Sequence, residues 1–392
     1  MALPIDAIQQ ALVDDNIDGW LLYDFAGANP IAQRLAGLVG RHVTRRWFYF
    51  IPRSGSPLKL VHAIEPAMLE AQPGQTHRYA GRVQLETGLA HVLRGVRTVA
   101  MEYSPGCAIP YVSRVDAGTM ELVRGTGATV VSSGDLVGRF EAAWDRAALD
   151  THRRASAALY RIKDRAFAMI SERLASGTSV NELEVQALMV GWFADEGLIT
   201  DSPPIVAVQA HSGNPHYAPT PETSATVAPG NVVLIDLWGK LEQPDAVYAD
   251  ITWTGVAGAP TPEMARVFSM VAAARDAAVA RVQGALASGQ TIRGFEVDRA
   301  ARQVITDAGY GERFVHRTGH SLGVNVHGNG VHMDDYETHD DRRLLDGTGF
   351  TVEPGIYLPD FGVRSEVNVV VVGAEAPVTG PLQRMLARLG GA

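Results

Sequence analysis

The sequence predicts two domains: an N-terminal α/β domain over residues 1–147, and a C-terminal α+β domain over residues 148–392 with helices outside a curved antiparallel sheet. The 392 residues are enough for two domains that each bury a core. Short apolar strands alternate with helices up to about residue 145. Beyond that point long helices are separated by a few apolar strands.

The N-terminal domain begins with an amphipathic helix predicted over residues 1–20, in which four apolar residues loosely follow helical spacing: Ile5, Ile8, Leu12 and Ile17. Residues 19–24 have the composition of a buried strand. Two more strands are predicted on either side of a Pro, Ser and Gly cluster at residues 52–57. Helix-to-strand alternation then repeats over residues 90–103 and 118–137. In this domain, no spacing of His, Asp or Ser residues indicates a catalytic or metal-binding site.

The C-terminal domain opens with a helix over residues 145–177, which ends at a glycine suited to a C-cap. The next helix is predicted to start with a capping box made by Ser179 and Glu182. A third starts with Thr261 as the N-cap, followed by proline. Apolar strands lie between these helices, in the stretches PPIVAV, NVVLIDLW and VYADITWTGVAG.

Composition excludes several classes of protein. The net charge of −9 is spread without a basic block, so nucleic acid is not expected as a partner. Cys107 is the single cysteine and cannot form an internal disulfide, and no apolar run is long enough for a membrane span. With no charged and apolar leader at the start, we expect a cytoplasmic protein. The arginines Arg41, Arg45 and Arg46 fit either a solvated face or a contact with substrate or a partner subunit.

Five side chains stand out because they lie in or next to short apolar runs with strand character: Asp236, Asp250, His320, Glu353 and Glu366. The last three are flanked by glycine or proline within the segment 316–366. Burying a carboxylate without a partner is costly, and a counter-ion or a metal is the usual remedy.

Four carboxylates and one imidazole form a donor set that suits two divalent cations, and the absence of thiolate argues against structural zinc or an iron–sulfur centre. We expect two ions per subunit, Mn²⁺ first, with Zn²⁺ or Co²⁺ as alternatives. Two ions that share carboxylates lower the pKa of a bridging water and polarise a carbonyl. The donor set therefore predicts metal-assisted hydrolysis.

The motifs around these residues resemble those of the pita-bread metallopeptidases, the group that contains Xaa-Pro aminopeptidase, prolidase, methionine aminopeptidase and creatinase. The matching motifs are Asp and Asp on consecutive strands, HxxGHxxG, TVEPGxY and RxE, within roughly residues 150–372. The resemblance implies a creatinase-like N-terminal domain, a pita-bread catalytic domain and a homodimer in which each N-terminal domain closes the neighbouring cleft. It also implies that the five side chains are the metal ligands.

The resemblance gives roles to further residues. Glu353 is expected both to bind metal and to accept the proton of the attacking water. His327 resembles the histidine that hydrogen-bonds the scissile carbonyl, and His216 resembles one that lies near the leaving proline. Arg364 should share a face with Glu366 and either bind a substrate carboxylate or hold the ligands. Tyr357 resembles a tyrosine near the tetrahedral intermediate, with a packing role as the alternative.

The chain departs from the family pattern at three places. Asp236 and Asp250 are fourteen residues apart rather than the usual eleven, and Trp253 stands where the family has an arginine. The loop after His327 is longer and more polar, and Arg342 or Arg343 could reach a substrate carboxylate from it.

The predicted function is hydrolysis of the bond before proline in Xaa-Pro dipeptides, a small peptide substrate. The alternatives are an Xaa-Pro aminopeptidase acting on longer peptides, a creatinase-type amidinohydrolase without metals, and a non-enzymatic binding module.

Overall fold

The structure is a computed structural model and describes residues 3–390. It consists of two compact units that divide between Ala142 and Ala143. The boundary that the sequence predicts, after residue 147, falls in the first turn of a helix of the second unit and stays a prediction.

The first unit alternates helices and strands: α1 (Ile5–Asp14), β1 (Gly19–Asp24), α2 (Pro30–Ala36), β2 (Trp47–Pro52), β3 (Leu58–His62), β4 (Gln75–Tyr79), α3 (Arg82–Val92), β5 (Thr98–Met101), α4 (Ala117–Arg124), β6 (Thr129–Ser132) and α5 (Gly134–Val137). Its strands form one mixed sheet in the order β4-β3-β2-β1-β5-β6. Every residue of β1 is buried, because Trp20 and Leu22 enter the core on one face while Leu21 and Tyr23 enter the core on the other.

The second unit contains α6 (Arg146–Ser176), α7 (Glu182–Asp195), β7 (Leu198–Ile199), β8 (Ile205–Val208), β9 (Val232–Leu241), β10 (Ala249–Ala257), α8 (Pro262–Ala287), α9 (Gly294–Asp307), β11 (Gly349–Val352), β12 (Gly355–Tyr357), β13 (Gly362–Arg364), β14 (Val367–Val370) and β15 (Ala387–Leu389). β9 and β10 form an antiparallel pair; β7 and β8 pair with β9, and β15 runs parallel to β10. Two antiparallel pairs, β11 with β14 and β12 with β13, complete the strands.

Helices cover this strand assembly through two apolar cores. Side chains of α6 and α7 pack against β9 and β10, and side chains of α8 and α9 pack against β11, β13 and β14. The helix ends follow the predicted signals at two points. Gly177 has a φ of 68° at the end of α6, and the Thr261 hydroxyl accepts a hydrogen bond from the Met264 amide at the start of α8, at 3.2 Å.

Two local predictions were wrong. The first helix ends at Asp14 rather than near residue 20, and Asn16 follows it with a φ of 53°. The capping box at Ser179 and Glu182 does not form, because Asn181 is the N-cap of α7 and accepts from the Glu184 amide at 2.9 Å. Glu182 is instead fully buried.

Among residues 3–390, no helix combines the length and the apolar content needed to cross a membrane.

Candidate active site

The β9–β10 ladder places two of the predicted ligands on one face of the sheet. Asp236 lies opposite Thr252, and directly opposite residues of antiparallel strands share a face. Asp250 precedes Thr252 by two residues and therefore points to the same face. Both aspartates are buried.

His320 is fixed to β11 by two hydrogen bonds that involve Thr351. The His320 amide donates to the Thr351 hydroxyl, and the Thr351 amide donates to the His320 carbonyl, each at 2.9 Å. This close approach requires glycine at 319, since a Cβ there would lie 2.0 Å from the Thr351 carbonyl oxygen. The Thr351 hydroxyl also donates to Glu353 Oε1 at 3.0 Å, so one threonine orients two predicted ligands.

The hydrogen bonds of His320 define which of its ring nitrogens can bind a cation. Nδ1 lies 3.2 Å from the Ser321 carbonyl oxygen, which can only accept, so Nδ1 carries the proton. Burial lowers the pKa of His320 well below its usual value, and His327 and Arg317 lower it further. The ring is therefore neutral, with the lone pair on Nε2.

The Nε2 atom faces the carboxylates. It lies 3.5 Å from Asp250 Oδ2 and 3.4 Å from Glu353 Oε1. One ligand atom each from Asp250, His320 and Glu366 lie within 4.8 Å of one another. Among the described residues, Asp250 Oδ1 and Glu366 Oε1 are buried oxygens without a hydrogen-bond partner. Orphaned buried oxygens are rare, and a cation would satisfy both.

The electrostatics of the carboxylates favour binding of a cation. Burial raises the pKa of Asp250 and Glu366 well above the usual range, and the neighbouring carboxylates raise it further. Burial also raises the pKa of Glu353; Arg364 lowers it and Asp236 raises it, which leaves a value of about 7. Carboxylates this close cannot all ionise without a cation. The donor set thus fits divalent metal.

Comparison with known proteins decides the family. Residues 150–373, more than half of the chain, match the profile of Metallopeptidase family M24. The chain belongs to metallopeptidase family M24. The metal-dependent chemistry implied by this family agrees with the carboxylate and histidine cluster.

Relatives of this M24 protein include two curated bacterial proteins. The Xaa-Pro dipeptidase of Lactobacillus delbrueckii subsp. lactis is 38% identical over 41% of this chain and 40% of its own. The probable dipeptidase PepE of Mycobacterium tuberculosis is 30% identical over 66% of this chain and 64% of its own. The matched segments thus span 40 to 64% of the length of these relatives.

The fold comparison covers nearly the whole chain. The solved dipeptidase PepE of Mycobacterium ulcerans superposes with a TM-score of 0.71 and 25% identity, over 99% of this chain and 97% of its own. The predicted fold, a creatinase-like α/β domain followed by a pita-bread domain, is confirmed.

Arg364 lies at the centre of a hydrogen-bond network in the M24 site. Its guanidinium donates to Asp236 Oδ2 at 2.5 Å, to the Thr252 hydroxyl at 2.9 Å and to the Tyr357 hydroxyl at 3.1 Å. Thr252 in turn donates to Glu366 Oε2 at 2.8 Å, so Arg364 and Glu366 meet at one threonine, as expected for residues on the same face. Asp236 is thus oriented by Arg364, and neither Asp236 nor Glu353 is part of the tight group that Asp250, His320 and Glu366 form.

Tyr357 is oriented from its other side by His316. His316 Nδ1 donates to the Arg317 carbonyl at 2.7 Å, so Nε2, 2.7 Å from the Tyr357 oxygen, accepts the phenol proton. Burial and the charge of Arg364 lower the pKa of His316 to about 3, and burial raises the pKa of Tyr357 to about 12. Both groups therefore stay neutral, and the tyrosine proton is directed at His316.

The two other predicted histidines lie at the edge of the site. The His327 ring packs edge-on against His320, with 4.4 Å between ring centroids. Surrounding protein lowers the pKa of His327 to about 4, although part of the side chain reaches solvent. His216 is exposed, and the carbonyl of the preceding Pro215 accepts from Arg364 at 3.3 Å.

The sequence interpretation missed Thr252 and Thr351, which connect the predicted ligands. Each lies two residues from a predicted ligand, Thr252 after Asp250 and Thr351 before Glu353, and so shares its face. The alternation of side chains along a strand, with a period of two residues, was the sequence signal that could have identified both threonines.

The proposed role of Arg342 in binding a substrate carboxylate was wrong. Its side chain is buried and forms two hydrogen bonds with Asp340, at 2.9 and 2.6 Å. It also donates to the carbonyls of Asn329 and Gly330, both at 2.6 Å. These bonds use four of the five N–H groups of the buried guanidinium, and Arg342 instead closes the loop that follows His327. The role of Arg343 stays a prediction.

The other two departures have local explanations. The three extra residues between the aspartates fall beyond the last ladder pair, Gly239 with Ala249, so the ligands keep their register. Trp253 packs under Lys163, whose ammonium lies 3.9 Å from the ring centroid, and meets Tyr160 edge-on. The tryptophan thus belongs to the packing between β10 and α6.

Proposed function

We propose that this protein is a dinuclear metal-dependent Xaa-Pro dipeptidase that cleaves the bond before proline in short peptides. The observation that carries the proposal is the pair of orphaned oxygens on Asp250 and Glu366, grouped with the lone pair of His320 Nε2. The relative from Lactobacillus delbrueckii is named Xaa-Pro dipeptidase, which supports the substrate class.

We assign five residues to the two ions, with Mn²⁺ as the expected metal and Zn²⁺ or Co²⁺ as alternatives: Asp236, Asp250, His320, Glu353 and Glu366. When bound, the ions supply a Lewis acid for the peptide carbonyl and lower the pKa of water. Glu353 is the proton acceptor in this proposal. Its side chain is 15% exposed, compared with 7% for Asp250, so it is the more accessible of the two carboxylates next to His320.

The remaining residues divide into those that hold ligands and those that meet substrate. The Arg364 guanidinium donates hydrogen bonds to Asp236, Thr252 and Tyr357. These bonds favour a role in holding the metal ligands over binding of a substrate carboxylate. His327, neutral and partly open to solvent, would donate to the substrate carbonyl. His216 would line the side of the leaving proline, and Tyr357 would pack there with its proton directed away.

Two further expectations belong to the proposal. We expect a homodimer, as the family resemblance implies, and a cytoplasmic enzyme, which agrees with the single cysteine Cys107.

Three measurements test this function. Elemental analysis of the purified protein should find two divalent ions per chain, whereas a creatinase-type hydrolase would contain none. With Mn²⁺ added, Ala-Pro should be hydrolysed faster than Gly-Pro-type tripeptides; the reverse preference would indicate an aminopeptidase. Asp250→Ala and Glu366→Ala should abolish both metal binding and hydrolysis, while Asp360→Ala, an exposed carboxylate of the same segment, should change neither. Full activity in either ligand variant would overturn the site assignment.

A further inference from the structure

The first unit contains a pocket of about 870 Å³ that the proposed hydrolysis does not use. It lies between the ends of β1, β3 and β4 and the start of α3 and α4, entirely within residues 23–122. A volume of this size falls in the range of cavities that hold metabolites and drug-sized molecules.

The charge of the pocket is opposite to that of the whole chain. Four arginines line it, Arg45, Arg46, Arg82 and Arg114, although the net charge of the protein is −9. Asp116 is the one carboxylate among its lining residues. The start of α3 at the pocket wall adds the positive end of a helix dipole.

Three of these guanidinium groups have no anionic partner. Arg82 pairs with Glu86 at 2.7 Å, but within the described part of the chain no carboxylate lies within 4 Å of Arg45, Arg46 or Arg114. Arg46 and Arg114 are moreover half-buried, where water solvates a charge less completely. A partly desolvated guanidinium group binds an anion more strongly than a fully hydrated one does.

The carboxylate in the pocket cannot supply that counter-ion. Asp116 accepts from the Tyr23 hydroxyl at 3.0 Å, from the Thr119 amide at 2.9 Å and from the Thr119 hydroxyl at 2.8 Å. These bonds fix it as the N-cap of α4. The arginines are therefore left to an external anion.

We propose that this pocket binds a small organic phosphate. Three guanidinium groups suit a phosphate group because each can form two parallel hydrogen bonds with its oxygens. The rest of the pocket wall includes the polar residues Thr44, His62 and Thr119. It also has an apolar and aromatic part, with Phe25 47% exposed and Leu85 and Leu122 among the lining residues. That surface fits the uncharged part of a nucleotide-sized ligand. The inference does not depend on the peptidase activity, because every residue involved lies in the first unit.

The test is titration calorimetry on the Mn²⁺-loaded chain of 392 residues with adenosine monophosphate, inorganic phosphate and adenosine as probes. We expect saturable binding of one adenosine monophosphate per chain, weaker binding of phosphate and none of adenosine. The double variant Arg46→Gln with Arg114→Gln should weaken adenosine monophosphate binding by about tenfold or more. The single variant Arg114→Lys keeps the charge but loses the paired hydrogen bonds, and should fall between wild type and the double variant.

A matched control removes the same charge elsewhere in the unit. Arg78 is exposed on β4 and does not line the pocket, so Arg78→Gln should bind adenosine monophosphate as wild type does. The proposal is overturned if the double variant binds the nucleotide with wild-type affinity, since the anion would then lie elsewhere, such as on the metal ions. It is also overturned if no probe binds in the low-millimolar range, or if the double variant changes only the oligomeric state. Because these readouts are heats of binding, they stand apart from any failure of the peptidase assays.

Discussion

Replacing Glu182 by glutamine would test how firmly one buried carboxylate holds the loop between β8 and β9. The carboxylate is fully buried and accepts hydrogen bonds from four groups. Oε1 accepts from the Val208 amide at 2.6 Å and from His211 at 2.8 Å. Oε2 accepts from the Ala225 amide and the Tyr217 hydroxyl, both at 2.7 Å.

Glutamine cannot satisfy this arrangement in either orientation of its amide. Its NH₂ group must take the place of one oxygen and then faces two donors, including a backbone amide. Leaving two buried donors without an acceptor costs about 3–6 kcal/mol of unfolding free energy, at about 1.5–3 kcal/mol for each bond to a charged group. For a unit of this size the melting temperature should fall by on the order of 10 °C.

Glu184 provides the control, because it lies in the same first turn of α7. It is half-exposed and pairs with Arg173 at 3.1 Å, so Glu184→Gln should cost less than about 1 kcal/mol. Urea unfolding followed by circular dichroism would compare the two variants. The KM for Ala-Pro should also rise in Glu182→Gln, since the loop ties Pro215 to Arg364. Equal stability of the two variants would refute the reasoning.

Three other predictions address the site and its surroundings. Gly319→Ala should lower metal affinity and should lower the free energy of unfolding by several kcal/mol, because the new methyl group would overlap the Thr351 carbonyl. The control is Gly284→Ala, at an exposed helical position with open space around it, which should raise the melting temperature slightly. The free energy of unfolding of the metal-free protein should fall as the pH rises from 5 to 8. The folded pKa of Glu353 is about 7, above its ordinary value, so the stabilisation from its protonated form is complete at low pH and is lost as the pH rises through 7. Melting curves with EDTA or with Mn²⁺ check this, and a loss that Mn²⁺ does not prevent would contradict it. Arg342→Ala should cost about 3–5 kcal/mol by leaving a buried carboxylate unpaired, and an unchanged urea midpoint would argue against that role.

The strand positions of Asp236 and Asp250 were predictable because period-two alternation and apolar runs are local signals. The role of Gly319 was suggested by glycines around His320, and the structure adds the partner that makes the close approach necessary, the Thr351 carbonyl. The strand positions thus depend on neighbouring residues, whereas the partner that makes glycine necessary at 319 lies far along the chain, at Thr351.

The position of Glu182 could not be predicted in the same way. A Ser followed three residues later by Glu is a common helix-start pattern, but the partners of this carboxylate lie 26 to 43 residues further along the chain. Long-range contacts override a local capping preference of about 1 kcal/mol when a buried charge is at stake. The predicted role of Arg342 was wrong for a related reason, because the polar sequence of its loop does not indicate that the arginine side chain is buried.

The β9–β10 hairpin separates the placement of the two aspartates from the length of the connection between them. Their alignment is set by backbone pairing that ends at Gly239 and Ala249, and the exposed residues 242–245 lie past that point. Evolution or an engineer can therefore lengthen this tip, or insert a label there, while the spacing of the carboxylates stays as it is.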